Sequence, residues 1–210
     1  MILNKCVAVI LAGGKSSRMG QPKGLLDFYG TFWLLEQLKR LKSGGITTVY
    51  IGLGYDYKDY FKAIPFLAEA QNGSTNWEEL SISAVLNQTP ELGSFSTLKN
   101  VLQVIPKNKD VLIVPIDVPI LNKTAFQNLL KQEGSIIKPQ CQGKTGHPII
   151  LRKDVVAKLL CEPSPTRLDN YISNMPNTIL SPCDDFQITM NINTPSVWES
   201  YKTAYSYKTI

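Results

Sequence analysis

Residues Val7 to Lys23 read VAVILAGGKSSRMGQPK, and the way this stretch divides decides the fold. Cys6 to Leu11 is a short apolar run rich in β-branched residues, which predicts a buried strand. The run stops at Ala12-Gly13-Gly14, and small and basic residues follow: Lys15, Ser16, Ser17, Arg18, Gly20 and Lys23. Adjacent glycines let a backbone take positive φ and approach a ligand closely, so that several N–H groups converge on an anion. Arg18 adds a group suited to bidentate phosphate contacts, and Lys23 adds a compact point charge. A first strand followed by a Gly-rich basic loop is a common triphosphate holder in α/β folds. The spacing is neither G-x-x-x-x-G-K-[ST] nor G-x-G-x-x-G, so two other phosphate loops are excluded.

The remaining chain supports an α/β domain. Thr31–Lys42 has apolar residues at Phe32, Leu34, Leu35, Leu38 and Leu41, which predicts a helix ended by Ser43-Gly44-Gly45. Ile46–Leu53 follows as a strand, completing a right-handed βαβ unit with the Gly13-Gly14 loop at its first strand's carboxyl end. Gly54–Phe61 reads as a loop and short helix, Phe66–Ala70 as a weak strand, and Leu80–Leu86 as a helix-like piece after a polar turn-rich segment. Ser94–Ile105 is helical in period, with Ser94 or Ser96 as N-cap. Asp110–Pro115 is the clearest buried strand. Lys123–Gln132 is a helix capped from Asn122, Ser135–Pro139 a strand, and Arg152–Leu160 and Thr166–Ser173 helices. A last helix spans Ser196–Tyr205.

With 210 residues the chain is one domain, 1–210, large enough for a full core. A net charge of +5 suits an anionic small substrate and is too diffuse for a nucleic-acid partner. Cys6, Cys141, Cys161 and Cys183 form no C-x-x-C pair, which favours a reduced, cytoplasmic protein over a metal-thiolate or redox site. No stretch has the length of a membrane span, and a single histidine gives a hydrolase triad or zinc site little support.

Three more places carry chemistry. Asp117, just past the Asp110–Pro115 strand and ahead of Pro119, is a carboxylate well placed to grip a metal ion. His147 stands in Gly146-His147-Pro148, where a lone histidine is ordinarily a structural hydrogen-bonding residue. Asn191 and Asn193, in N-x-N-T-P, offer amide donors and acceptors suited to a polar heterocycle. The plainer reading is an Asn-rich turn before the last helix.

Val7–Lys23 also resembles L-A-G-G-x-S-x-R-M-G-x-x-K, the signature loop of the MobA-like nucleotidyltransferases, matching at Leu11, Ala12, Gly13, Gly14, Ser16, Arg18, Met19, Gly20 and Lys23. The resemblance implies a three-layer α/β/α, Rossmann-like, mostly parallel sheet of the nucleotide-diphospho-sugar-transferase type. It implies transfer of an NMP from GTP or CTP to a phosphate acceptor, with Mg²⁺ as cofactor and molybdopterin as the acceptor that fits best. Leu11, Ala12, Gly13 and Gly14 would cradle phosphates, and Arg18, Lys23 and Asp117 would form the catalytic set with Asp117 on Mg²⁺. His147, Asn191 and Asn193 would line the acceptor side. The helix TRLDNYIS is similar to an R-L-x-x-W/Y-L helix of molybdenum cofactor guanylyltransferases, and a transient contact with a molybdoenzyme or its chaperone is implied too.

Departures from the family pattern leave the base open. An Asn after the second strand, an Asp before the middle loop and a G-P-L-A-G turn are replaced here by Gly54-Tyr55, Asn87-Gln88 and Gly93–Thr97. Asn cannot offer guanine the two acceptors of a carboxylate. Gln71–Leu86 reads as an insertion. A sugar-phosphate or other small-phosphate acceptor, and a catalytically idle nucleotide-binding domain, are the alternatives on the same fold.

Overall fold

The structure is a computed structural model that describes residues 5–162, 168–173 and 175–206. In chain order its strands are β1 (Cys6–Ala12), β2 (Asp27–Phe28), β3 (Thr31–Phe32), β4 (Thr48–Leu53), β5 (Thr75–Trp77), β6 (Leu80–Leu86), β7 (Asp110–Pro115), β8 (Ile136–Cys141), β9 (Lys144–Thr145), β10 (Ile149–Leu151) and β11 (Thr178–Pro182). The helices are α1 (Trp33–Ser43), α2 (Tyr57–Ala63), α3 (Phe66–Glu69), α4 (Ser94–Val104), α5 (Lys123–Lys131), α6 (Lys153–Cys161), α7 (Leu168–Ser173) and α8 (Pro195–Ser206).

The main sheet runs β11-β8-β10-β7-β1-β4-β6-β5, with β9 hydrogen-bonded to β8. Its centre is parallel: β1 pairs in parallel with both β4 and β7, and β4 with β6. β10 enters antiparallel between β7 and β8. Central strands buried on both faces demand two apolar layers. Ala8 and Ile10 of β1 face one core with Trp33, Leu38, Phe126 and Trp198. Val7 and Val9 face the other, with Leu98, Val101, Val156 and Leu159. The expected three-layer, mostly parallel architecture is therefore present.

Two elements differ from the sequence reading. Leu80–Leu86 is a strand rather than a helix. Its period is two, with Leu80, Ile82 and Ala84 buried and Ser81 and Ser83 half-buried, and seven residues are short for a helix. Phe66–Glu69 is helical rather than a weak strand, since Phe-Leu-Ala-Glu after Pro65 combines good helix formers with proline's preset φ. Within Gln71–Leu86, β5 and β6 extend the sheet beyond β4. Smaller differences lie at ends. Gly93, at φ 89°, is the N-cap of α4 in place of Ser94 or Ser96, while Asn122 caps α5 as expected by accepting from the Ala125 N–H. The expected helix Thr166–Ser173 is described from Leu168 onward, and its first residues lie outside the described set. All four cysteines are free. Among the described residues no helix is long and apolar enough to cross a membrane.

The role of β6 makes a direct test of this correction. Ile82 is fully buried against the main core. Ile82→Ala is expected to cost about 2–5 kcal/mol in urea unfolding, whereas truncation in an appended segment would cost less than about 1 kcal/mol.

Candidate active site

Strand register assembles the site. Leu11 of β1 lies opposite Gly52 of β4 and Pro115 of β7, and Leu53 lies opposite Leu86 of β6. Four strands thus end level, and the residues that follow them, Gly13, Gly54, Asn87 and Asp117, share one carboxyl edge. This is the edge at which open α/β sheets bind ligands. A cleft of about 790 Å³ opens there, lined by Leu11 to Ser16, Lys23, Tyr55, Gly93 to Thr97, Asp117, His147 and Asp169 among others.

The loop after β1 forms its floor. Neither Gly13 nor Gly14 takes the positive φ that a glycine pair permits; Ser16 does, at 51°. The need for glycine at 13 is instead one of space. A Cβ there would sit 2.9 Å from Thr97 Oγ1, and one on Gly54 would collide with the Gly13 carbonyl. Gly14 faces open space, which leaves its backbone bare to the cleft. The Ser16 hydroxyl accepts from the Lys23 N–H at 3.3 Å, closing the loop on itself.

Lys23 is where distant parts of the sequence meet. Its Nζ donates to Asp117 Oδ2 at 2.8 Å and to Asn193 Oδ1 at 2.6 Å. The Asp117 turn is gripped by two buried side chains of α1. Trp33 Nε1 donates to the Ile116 carbonyl at 2.7 Å and Gln37 Nε2 to the Val118 carbonyl at 2.8 Å, while Gln37 Oε1 accepts from the Ile120 N–H. The Ile192 N–H donates to the Asp117 carbonyl at 2.8 Å, which ties N-x-N-T-P to the same turn. Trp33 and Gln37 carried no sequence signal for this role, since both sit at ordinary helix positions.

Other expected site residues divide. Leu11, Ala12 and His147 line the cleft. Arg18 is exposed and does not line it. Asn191 is exposed too, and its Nδ2 donates to the Thr189 carbonyl at 3.2 Å, so only the second asparagine of the motif enters the site. Sequence reasoning missed the first turn of α4, Ser94 to Thr97, and Asp169 of α7. A helix N-terminus at the cleft adds main-chain N–H groups to an anion site. Asp169 lay inside the TRLDNYIS similarity, without a spacing that singled it out.

His147 is held by its neighbours. Its backbone N–H donates to the Ile188 carbonyl at 2.9 Å, and ring Nδ1 is buried with no partner among the described residues. Burial lowers its pKa below 6.5, opposed by the charges of Asp169 and Asp117 and by a hydrogen bond to the Ile113 backbone. The folded pKa lies below the unfolded one, so as pH falls the unfolded chain binds the proton first and stability drops below about pH 6.5. With one histidine in the chain, the tag-free protein is expected to give one imidazole Cε1–H resonance by NMR. It is expected to titrate with a midpoint below 6.5, and a midpoint above that would contradict the burial.

Residues 8–172 match the family described as the MobA-like NTP transferase domain. A molybdenum cofactor guanylyltransferase of Xanthomonas euvesicatoria is 29% identical over 122 residues, covering 58% of this chain and 52% of that protein. The chain spans about half the length of the curated guanylyltransferases it matches. A nucleotidyl transferase from Methanothermobacter has a TM-score of 0.77 at 15% identity, covering 98% of this chain and 99% of that one. A Mycobacterium tuberculosis protein in complex with manganese has a TM-score of 0.70 at 15% identity, covering 95% and 99%. These structural likenesses show the fold, that of the nucleotide-diphospho-sugar transferases. With the signature loop intact and the family match covering most of its length, the chain belongs to the MobA-like NTP transferase domain family.

Proposed function

We propose that the protein moves an NMP from GTP or CTP to a phosphate group of a small acceptor, with molybdopterin as the acceptor. The observation that carries this reading is the convergence of Lys23, Asp117 and Asn193 at the edge bearing the Gly13-Gly14 loop. The similarity to guanylyltransferases supports the acceptor, while Asn87-Gln88 in place of the expected Asp leaves the base between guanine and cytosine.

The donor set fits a divalent ion of the Mg²⁺ kind. Among the described residues no three His, Cys, Asp or Glu side chains group to hold a metal by themselves. Mg²⁺ is commonly held by one or two carboxylates plus phosphate oxygens and water, and Asp117, with a side chain 23% exposed, offers one such carboxylate. When bound, the ion would neutralise charge on the α-phosphate and the departing pyrophosphate.

The chain's own residues supply orientation and charge. Backbone N–H groups of the Gly13-Gly14 loop and of the first turn of α4 would bind the triphosphate. Lys23, on a flexible stem, can swing from Asp117 to a phosphate oxygen, and Arg18 would have to turn inward to add its charge. An oxygen of the acceptor phosphate attacks the α-phosphorus, the bond to the β-phosphate oxygen breaks, and pyrophosphate leaves. An ionised phosphate needs no base, so half-buried His147 is assigned to lining the acceptor side together with Asn193. Catalysis of this kind rests on positioning and electrostatics. We assign the protein to the cytoplasm, which its four free cysteines support, and include contact with a molybdoenzyme or its chaperone in the reading.

Pyrophosphate release tests this directly. Each of the four NTPs would be supplied with Mg²⁺ and anaerobically prepared molybdopterin. Release is expected with GTP or CTP and is abolished by chelation. Asp117→Ala and Lys23→Ala, checked to be folded, are each expected to lower the rate by about 10²–10³-fold. No release from any NTP, or an Asp117→Ala variant at the wild-type rate, would contradict the proposal.

A further inference from the structure

Asn87 stands just past β6, beside the first turn of α4 that lines the cleft. It is 5% exposed, and its amide has no hydrogen-bonding position to spare. Oδ1 accepts from the Thr89 N–H at 3.0 Å, from Asn100 Nδ2 at 3.0 Å and from the Thr89 hydroxyl at 3.3 Å. Nδ2 donates to Ser96 Oγ at 2.8 Å and to Thr97 Oγ1 at 2.9 Å. The Thr89 backbone N–H can only donate, which fixes the oxygen on that side and the NH₂ on the hydroxyls.

The two hydroxyls belong to the first turn of α4, which lines the cleft. Ser96 Oγ passes its own proton to the Gly93 carbonyl at 2.7 Å. Thr97 is 2% exposed and presses on the phosphate loop, since a Cβ on Gly13 would lie 2.9 Å from its Oγ1 and one on Gly52 2.7 Å from its Cγ2. One buried amide therefore joins the 87–93 loop, the N-terminus of α4 and the Gly13 loop. The network has a direction. A carboxylate at 87 would accept where the amide donates, and Ser96 would have to give up either that carboxylate or Gly93.

We infer that Asn87 is a positioning residue that holds the helix end and the Gly13 loop in mutual register for the phosphates, and that it does not read the base. The inference rests on the nucleotide-binding reading of the cleft. It assigns base choice to other residues that line the cleft, among them Tyr55, Pro90 and Leu92.

The test is equilibrium binding of ATP, CTP, GTP, UTP and inorganic pyrophosphate with Mg²⁺, at a temperature where circular dichroism shows each variant folded. Asn87→Ala and Asn87→Asp are expected to weaken every ligand that wild type binds about tenfold, pyrophosphate included, with the order of bases unchanged. Asn100→Ala, which removes one bond from Oδ1, is expected to weaken them about threefold. It also carries the test, with Ser96→Ala, if Asn87→Ala fails to fold. A purely structural role would lower the melting temperature and leave these affinities unchanged, which would overturn the inference. So would a changed order of bases in Asn87→Ala, because Asn87 would then be the base reader. Wild type that binds none of the five ligands would instead overturn the nucleotide reading, and this inference with it.

Discussion

A single ammonium group closes this site. Lys23 Nζ spans 94 residues to Asp117 and 170 to Asn193, and both contacts are at hydrogen-bonding distance. The side chain has little freedom of origin, because the next residue is pinned. The Gly24 N–H donates to the Tyr60 hydroxyl at 3.0 Å, and a Cβ on Gly24 would lie 2.7 Å from the same hydroxyl. With its base fixed by a buried tyrosine and its tip held by a carboxylate and an amide, Lys23 links the phosphate loop, the β7 turn and the segment before α8. A multiply charged anion entering the cleft competes for that ammonium with Asp117. The resting ion pair thereby keeps both charges balanced and ready to separate.

The site's rigidity is borrowed from the core. The Asp117 turn has no regular structure of its own, yet Trp33 and Gln37, each fully buried, bond three of its main-chain groups from α1. The opposite wall is organised by Asn87, again through buried amide bonds. Polar groups inside a protein hold geometry well when every donor and acceptor is satisfied. Both walls follow that rule, while Lys15, Ser16 and Ser94 at the mouth remain partly or wholly open to solvent.

Sequence made the chemistry legible where chemistry depends on residue type and spacing. The β1 run, the Gly-Gly loop, Lys23 and the Asp117 turn could all be read that way, and the parallel sheet brought them together. Sequence was weakest in the middle of the chain. In Leu80–Leu86 the apolar content suggests a helix, whereas the two-residue alternation belongs to the strand that extends the sheet past β4. Side-chain direction was the other blind spot. Asn191 and Asn193 have the same chemistry two residues apart, and buried Ile192 between them sends one to Lys23 and leaves the other outside. Nor could spacing show that Gly13 is required by Thr97, 84 positions away, rather than by its own dihedral angles.

The most direct test of the central claim is a crystal structure with Mn²⁺ and a non-hydrolysable GTP or CTP analogue, using the anomalous signal to find the metal. The account predicts a peak against the Asp117 carboxylate, the triphosphate along the Gly13-Gly14 loop, and Lys23 Nζ moved from Asp117 to a phosphate oxygen. A metal bound elsewhere, or a nucleotide outside the cleft with the Lys23–Asp117 pair intact, would contradict it.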